Sequence, residues 1–240
     1  MKIATSDSFF NGRIRVKQDP TGYRFSIDAI LLASQIRAHP GERILDLGTG
    51  CGIVAMILAY RNPEIMVYAV EVQKQLFELA ESNVKDNRMS ERITVINCDM
   101  KSLSPKMISG SADIVACNPP YRRSTSGRLN PVQQRAIARH EILATLSDVL
   151  SAARRMLRTA GRFVTIYTAE RTAELLAKMK TNRIEPKIIR TIHSNPIAEA
   201  KMILVEGIKD GGPGTIIQAP LILYDKDGQY SREVRQMFAP

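Results

Sequence analysis

Along the chain, apolar positions fall into two alternating spacings. Short runs rich in Val, Ile and Leu predict strands over Arg43–Leu47, Met66–Glu71, Ile93–Asn97, Asp113–Cys117, Arg162–Tyr167, Lys187–His193, Lys201–Glu206 and Ile216–Tyr224. Between them, a spacing near 3.6 predicts helices over Ile53–Arg61, Gln73–Arg88, Glu141–Leu157 and Ala169–Lys180. In Gln73–Arg88, Leu76, Phe77, Leu79, Ala80 and Val84 share one face, and Lys74, Glu78, Glu81 and Lys85 lie mostly opposite. A shorter amphipathic stretch, capped near Ser26, runs to Ala33. Strands separated by helices of this length imply right-handed crossovers and a mainly parallel, doubly wound α/β sheet. The last third differs. Its strand-like runs are separated only by turn signals such as Asn195-Pro196 and Gly211-Gly212-Pro213-Gly214, which suits antiparallel hairpins at a sheet edge. With no repeat or linker in view, the expectation is one domain over 1–240, with residues 1–42 as a substrate-facing lid segment and 43–240 as the core.

Composition adds a direction. The chain has 240 residues, 44% of them hydrophobic, enough for a sizeable core without disulfide staples. Its 34 Lys and Arg against 24 Asp and Glu leave a net charge of +10, which favours polyanionic partners or, more plainly, solubility. Cys51, Cys98 and Cys117 form no Cys-x-x-Cys or His-Cys cluster, so no metal site is expected and the thiols read as reduced. The N-terminus carries no signal-peptide pattern, and no apolar run approaches the ~20 residues of a membrane span. A cytoplasmic protein is the expectation.

Candidate chemistry begins at Asp46-Leu47-Gly48-Thr49-Gly50-Cys51-Gly52, which joins the first core strand to a helix. Alternating glycines allow a sharp turn and a close approach of ligand to backbone, although an isolated Asp-x-Gly-x-Gly can equally be an ordinary strand-to-helix turn. Glu71 closes the next strand, where a carboxylate can accept both hydroxyl protons of a ribose. A dinucleotide fold wants its third glycine one residue later, to seat a pyrophosphate on the helix N-terminus. Here position 53 is Ile, and Asp46 is a poor neighbour for phosphate but a good one for an ammonium group. The loop therefore resembles the first motif of class I, S-adenosylmethionine-dependent methyltransferases. That resemblance implies a Rossmann-like, seven-stranded sheet with an antiparallel C-terminal edge. It also implies cofactor contacts from Asp46, Gly48, Gly50, Gly52, Glu71 and the adjoining Val72. In the same family a carboxylate at the end of the third strand accepts from the adenine amino group, which points to Asp99 within Cys98-Asp99-Met100.

Asn118-Pro119-Pro120-Tyr121 follows the fourth core strand. Alone it could simply stop a strand, since neither proline has an N–H. After a methyltransferase strand it resembles the motif of amino-methylating enzymes. An exocyclic amino nitrogen is a weak nucleophile because its lone pair is delocalised into the ring. An Asn oxygen and a backbone carbonyl fixed by stiff prolines can accept both N–H bonds and drive the nitrogen toward tetrahedral geometry. Tyr121 offers a stacking face, typically worth ~1–3 kcal/mol for a base. Adenine, cytosine, guanine and a glutamine amide all suit this motif.

The flanks narrow the choice. Gly22–Ala33, Ala138-Arg139-His140-Glu141 and Pro220–Glu233 resemble bacterial enzymes that methylate adenine-N6 beside the anticodon of a valine tRNA. The resemblance implies that Phe25, Ser26 and Asp28 neighbour the cofactor in a lid, with Asn118 touching both cofactor and substrate. His140 is a capping residue or a catalytic one. Arg122, Arg123, Arg128 and Arg139, in or beyond a polar loop, form an RNA-phosphate clamp or a solvated surface. Arg13, Arg15 and Lys17, or Arg154, Arg155 and Arg158, could extend such a patch. Three alternatives stay open at this point: a ribosomal-RNA or DNA amino-methyltransferase, a glutamine methyltransferase, and a catalytically dead RNA-binding scaffold. Glutamine-modifying enzymes carry a helical domain before the core, for which 42 residues leave little room.

Overall fold

The computed structural model describes residues 5–18, 27–119 and 144–239. An antiparallel hairpin, β1 (Thr5–Phe9) and β2 (Ile14–Gln18), comes first. Then follow α1 (Ile27–Gln35), β3 (Arg43–Leu47), α2 (Ile53–Arg61), β4 (Met66–Glu71), α3 (Lys74–Asp86), β5 (Ile93–Asn97) and β6 (Ala112–Cys117). After the gap come α4 (Leu146–Met156), β7 (Leu157–Thr168), α5 (Thr172–Thr181), β8 (Ile184–His193) and β9 (Ala200–Lys209). Two short strands, β10 (Ile216–Ile217) and β11 (Leu221–Ile222), and α6 (Arg232–Met237) close the chain.

The main sheet has the order β10-β8-β9-β7-β6-β3-β4-β5, with β11 also on β8. Strands β7, β6, β3, β4 and β5 are parallel, and β9 runs antiparallel to both its neighbours, β7 and β8. This is the Rossmann-like arrangement expected, with two differences: nine strands join the sheet where seven were expected, and the C-terminal edge is built otherwise. The run over 216–224 is two short strands pairing parallel to β8, not one antiparallel strand. Pro220, which has no N–H to give a ladder, lies in the break between them.

Both sheet faces are covered, which explains why the core strands read as continuous apolar runs. Ile44, Val67, Ala69, Ile114, Ala116, Val164 and Ile166 pack on one side with α1, α2 and the hairpin. Leu45, Leu47, Val70, Val115, Cys117, Phe163 and Tyr167 pack on the other with α4 and α5. The helix expected over 141–157 starts at Leu146 among the described residues, because Thr145 caps it. The Thr145 Oγ1 accepts from the Asp148 N–H at 3.2 Å, and Asp148 Oδ2 accepts from the Thr145 N–H at 2.8 Å. Arg158, Thr159 and Ala160 are exposed where the β6–β7 register shifts, and β7 then continues to Thr168.

The N-terminal hairpin was not anticipated by apolar periodicity. Its turn holds Phe10, Asn11 and Gly12 at φ 52, 56 and 83, so the Asn11-Gly12 pair supplies the left-handed backbone cheaply. In β2, Ile14 and Val16 are fully buried while Arg15 and Lys17 point outward. No helix among the described residues is long and apolar enough to cross a membrane.

Candidate active site

Register brings the candidate residues to one edge. Leu47 pairs with both Val70 and Cys117, and Glu71 pairs with Asn97. The segments that continue those strands, Gly48–Gly52, Val72, Cys98–Met100 and Asn118–Pro119, therefore emerge side by side. The C-terminal edge of such a sheet is where ligands bind.

The glycine loop is shaped by its backbone. Gly48, Gly50 and Gly52 have φ of 72, 59 and 87, a region that side-chain-bearing residues avoid. A Cβ at Gly48 or Gly50 would meet nothing within 4 Å, so open space lies against the loop, whereas one at Gly52 would touch Ala80 Cβ at 3.4 Å. The Val70 carbonyl accepts from the N–H groups of Gly48 and Thr49 at 2.9 and 3.0 Å, which ties the turn to the end of β4.

Glu71 is 3% exposed, and backbone N–H groups donate to both of its oxygens. Gly50 donates to Oε2 at 3.0 Å and Gln73 to Oε1 at 2.9 Å. Burial pushes its carboxyl above the ordinary range, opposed by those N–H groups. The Val72 N–H and the Gln73 side chain add further hydrogen bonds to the same carboxylate. Val72, apolar yet 38% exposed, stands next to it as a surface that a flat ring would cover. These features fit a nucleoside ligand.

Asp46 is placed differently from its neighbours. It is 1% exposed, and its Oδ2 accepts from Thr49 Oγ1 at 2.6 Å. It also accepts from the Ala55 N–H in the first turn of α2. The carboxylate thus sits behind the loop and holds it. Burial, with a smaller repulsion from Glu71, pushes its pKa up to about 6 despite the two hydrogen bonds.

Beyond β5, the Asn97 amide donates to the carbonyls of Glu71 and Val72 at 2.8 and 3.2 Å, locking the two strand ends together. Asp99 is half exposed, accepts from the Lys101 N–H at 2.9 Å, and lies 3.4 Å from Lys101 Nζ. Cys98 Sγ approaches the Asp99 carbonyl at 3.2 Å and Ser102 Oγ at 3.4 Å. Met100 is half-buried, and its carbonyl accepts from Arg155. Arg155 spans the Met100 and Leu103 carbonyls at 2.6 and 2.8 Å, and Arg158 pairs with Asp113 at 2.5 Å. Both arginines are engaged by the protein itself.

Asn118 is half-buried and Pro119 buried at the end of β6. The last β6 carbonyl, of Cys117, accepts from Thr165 Oγ1 at 2.9 Å, and Thr165 is 1% exposed. Thr165 was not anticipated. A lone hydroxyl in an apolar strand gives little signal. Asn83, fully buried on α3, was missed as well. Its Nδ2 donates to the Cys51 carbonyl at 2.9 Å and to the Lys17 carbonyl at 3.0 Å, and its Oδ1 accepts from the Lys17 N–H at 2.8 Å. Asp28 is 8% exposed in the first turn of α1. Phe25, Ser26, Pro120, Tyr121, Arg122, Arg123, Arg128, Arg139 and His140 lie outside the described residues.

Comparison with known proteins gives this edge its context. Residues 24–186 match the family model of the methyltransferase small domain. The chain belongs to this family. It is an S-adenosylmethionine-dependent methyltransferase. A tRNA1(Val) (adenine(37)-N6)-methyltransferase of Porphyromonas gingivalis is 28% identical over 246 residues, covering 98% of this chain and 94% of that protein. One of the same name from Tolumonas auensis is 31% identical over 171 residues, covering 71% of this methyltransferase and 70% of the relative. Among solved structures, a predicted O-methyltransferase of Agrobacterium tumefaciens superposes with a TM-score of 0.71 at 25% identity, covering 88% and 94% of the two chains.

Proposed function

We propose that this enzyme methylates the N6 amino group of an adenine in tRNA, using the edge formed by Gly48–Gly52, Glu71, Asp99 and Asn118. The observation that carries the reading is the alignment of Glu71 and Asn118 on strands flanking β3, either side of the glycine loop. S-adenosylmethionine supplies the methyl group, carried on its sulfonium.

Glu71 accepts from the ribose hydroxyls, and the Gly48–Gly50 backbone lets the methionine part approach. Asp46 acts mainly by fixing Thr49 and the loop, and adds negative charge beneath the bound ammonium. Asp99, with Val72 and Met100, bounds the adenine end. Asn118 accepts a hydrogen bond from the amino group being methylated, and Thr165, through the Cys117 carbonyl, sets where Asn118 begins. Pro119 and Pro120 stiffen this turn, Tyr121 stacks on the base, and no metal or strong base is needed because the nitrogen loses its proton after transfer. Phe25, Ser26 and Asp28 form the near side of a lid over the cofactor, and Arg122, Arg123, Arg128 and Arg139 contact phosphates. The whole chain acts as a single domain.

The names of the P. gingivalis and T. auensis relatives support tRNA and adenine-N6 over the other amino acceptors. The test is acceptor choice. Purified enzyme and labelled methyl donor are offered undermodified tRNA, ribosomal RNA, duplex DNA and a glutamine-bearing release factor. Label in tRNA alone is expected. Label only in the protein or the DNA overturns the reading.

A further inference from the structure

The hairpin and the C-terminal end of α3 enclose a cleft of about 560 Å³ lined by Gly12, Arg13, Arg15, Lys17, Asp86, Asn87 and Arg88. Four cations and one acid line it. Lys17 Nζ spends its charge on Asp86 at 2.6 Å and also donates to Ser82 Oγ at 3.4 Å. Arg13 donates to the neutral Tyr60 hydroxyl at 3.0 Å and keeps its charge. The guanidinium groups of Arg15 and Arg88 are exposed and have no hydrogen-bond or ion-pair partner among the described residues.

These cations stand on a rigid frame. The Asn87 side chain accepts from the Arg15 N–H at 2.9 Å and donates to the Arg15 carbonyl at 2.7 Å. One helical turn earlier, Asn83 does the same for Lys17. Two carboxamides on a helix thus act as the neighbouring strand that β2 lacks. With Ile14 and Val16 buried, strand alternation sends Arg15 and Lys17 to one outer face, about 6–7 Å apart at ~3.3 Å per residue, and Arg13, in the turn just before β2, lines the same cleft. That interval is comparable to the spacing of successive phosphates along a nucleic-acid strand. The row has a direction too. It climbs from Arg88 toward Asn83, and so toward the Cys51 carbonyl in the glycine loop.

We propose that this cleft binds RNA phosphodiesters, holding the acceptor's backbone while its target base occupies the edge near Asn118. Resting on the reading of RNA as acceptor, the proposal adds a contact area on the hairpin and the C-terminal end of α3. Phosphate contacts position a nucleic acid without reading its sequence. Arginine, always charged and able to bond two phosphate oxygens, suits this work.

The test uses full-length enzyme and an unmodified tRNA transcript, with affinity measured across a salt series. The Arg13→Ala, Arg15→Ala, Arg88→Ala triple variant should bind the transcript at least tenfold more weakly at low salt. Its log–log salt slope should be shallower by about two units, at roughly 0.7–0.9 per lost phosphate contact. The matching triple Lys variant should keep the slope. Cofactor affinity, and kcat at saturating RNA, should match the wild type in both. Equal affinity and equal slope in the Ala triple overturn the cleft. Failure of the acceptor reading shows separately, as a wild type that leaves every RNA unmethylated, and the slope comparison still decides the cleft in that case.

Discussion

Asn83 and Cys51, 32 residues apart, are joined by a 2.9 Å hydrogen bond from the Asn83 amide to the Cys51 carbonyl. The same amide holds Lys17 of β2, so one buried side chain fastens the N-terminal hairpin to the glycine loop. The hairpin leads on toward residues 19–26, and its placement is therefore mechanically tied to the glycine loop.

Replacing Asn83 by Ala strands three backbone groups, the Lys17 N–H and the Lys17 and Cys51 carbonyls, in or near the interior. An unsatisfied buried polar group costs about 1–3 kcal/mol, though water can reach the exposed strand. A loss of roughly 2–4 kcal/mol is expected by chemical denaturation, with weaker cofactor binding by calorimetry. Asn87→Ala should cost less and leave the cofactor alone, because Asn87 touches the hairpin and not the loop. Equal cofactor effects from both variants would break the proposed link.

Glu71→Ala should weaken S-adenosylmethionine binding by about 1.5–3 kcal/mol, the range for charge-assisted hydrogen bonds. The Gly50 and Gln73 N–H groups lose their acceptor in the same variant, so the loop should also loosen. Calorimetry on a folded Glu71→Ala protein with unchanged affinity would remove Glu71 from the site.

Asp46 makes stability depend on pH in an unusual direction. Its carboxyl titrates near 3.8 when unfolded and about 6 when folded, so between those values the native state binds the extra proton. Its contribution is most favourable below pH 3.8 and is lost as pH rises through about 6. Asp46→Asn keeps an acceptor for Thr49 but does not titrate. Wild-type stability minus that of the variant should therefore fall by roughly 2–2.5 kcal/mol from pH 4 to pH 7, at about 1.4 kcal/mol per pKa unit. A difference that stays flat, or rises with pH, contradicts the burial of this charge.

Much of this was legible because the inner strands, covered on both faces, read as near-continuous apolar runs. β3, β4, β5 and α2 lie where apolar runs place them, and register follows from topology. Glu71 and Asn118 stand out in the sequence because Glu71 ends β4 and Asn118 directly follows β6. What escaped depends on pairing between distant segments. The hairpin is signalled only by Asn11-Gly12 and three alternating residues, Ile14, Arg15 and Val16. Asn83 and Thr165 look like ordinary polar residues in a helix and a strand until the backbone groups they satisfy are known. Asp46 looked like a ligand contact, yet burial makes it first a support for Thr49.

The most direct test of the account is the identity of the modified nucleoside. Undermodified tRNA is treated with wild-type enzyme or with Asn118→Ala, digested, and analysed by mass spectrometry. Wild type should produce N6-methyladenosine. The variant should bind S-adenosylmethionine almost normally and yield it at least about a hundredfold more slowly in single turnover, as loss of a preorganised contact typically does. A methyl group on cytosine or guanine, or a near-normal rate for Asn118→Ala, would contradict the account.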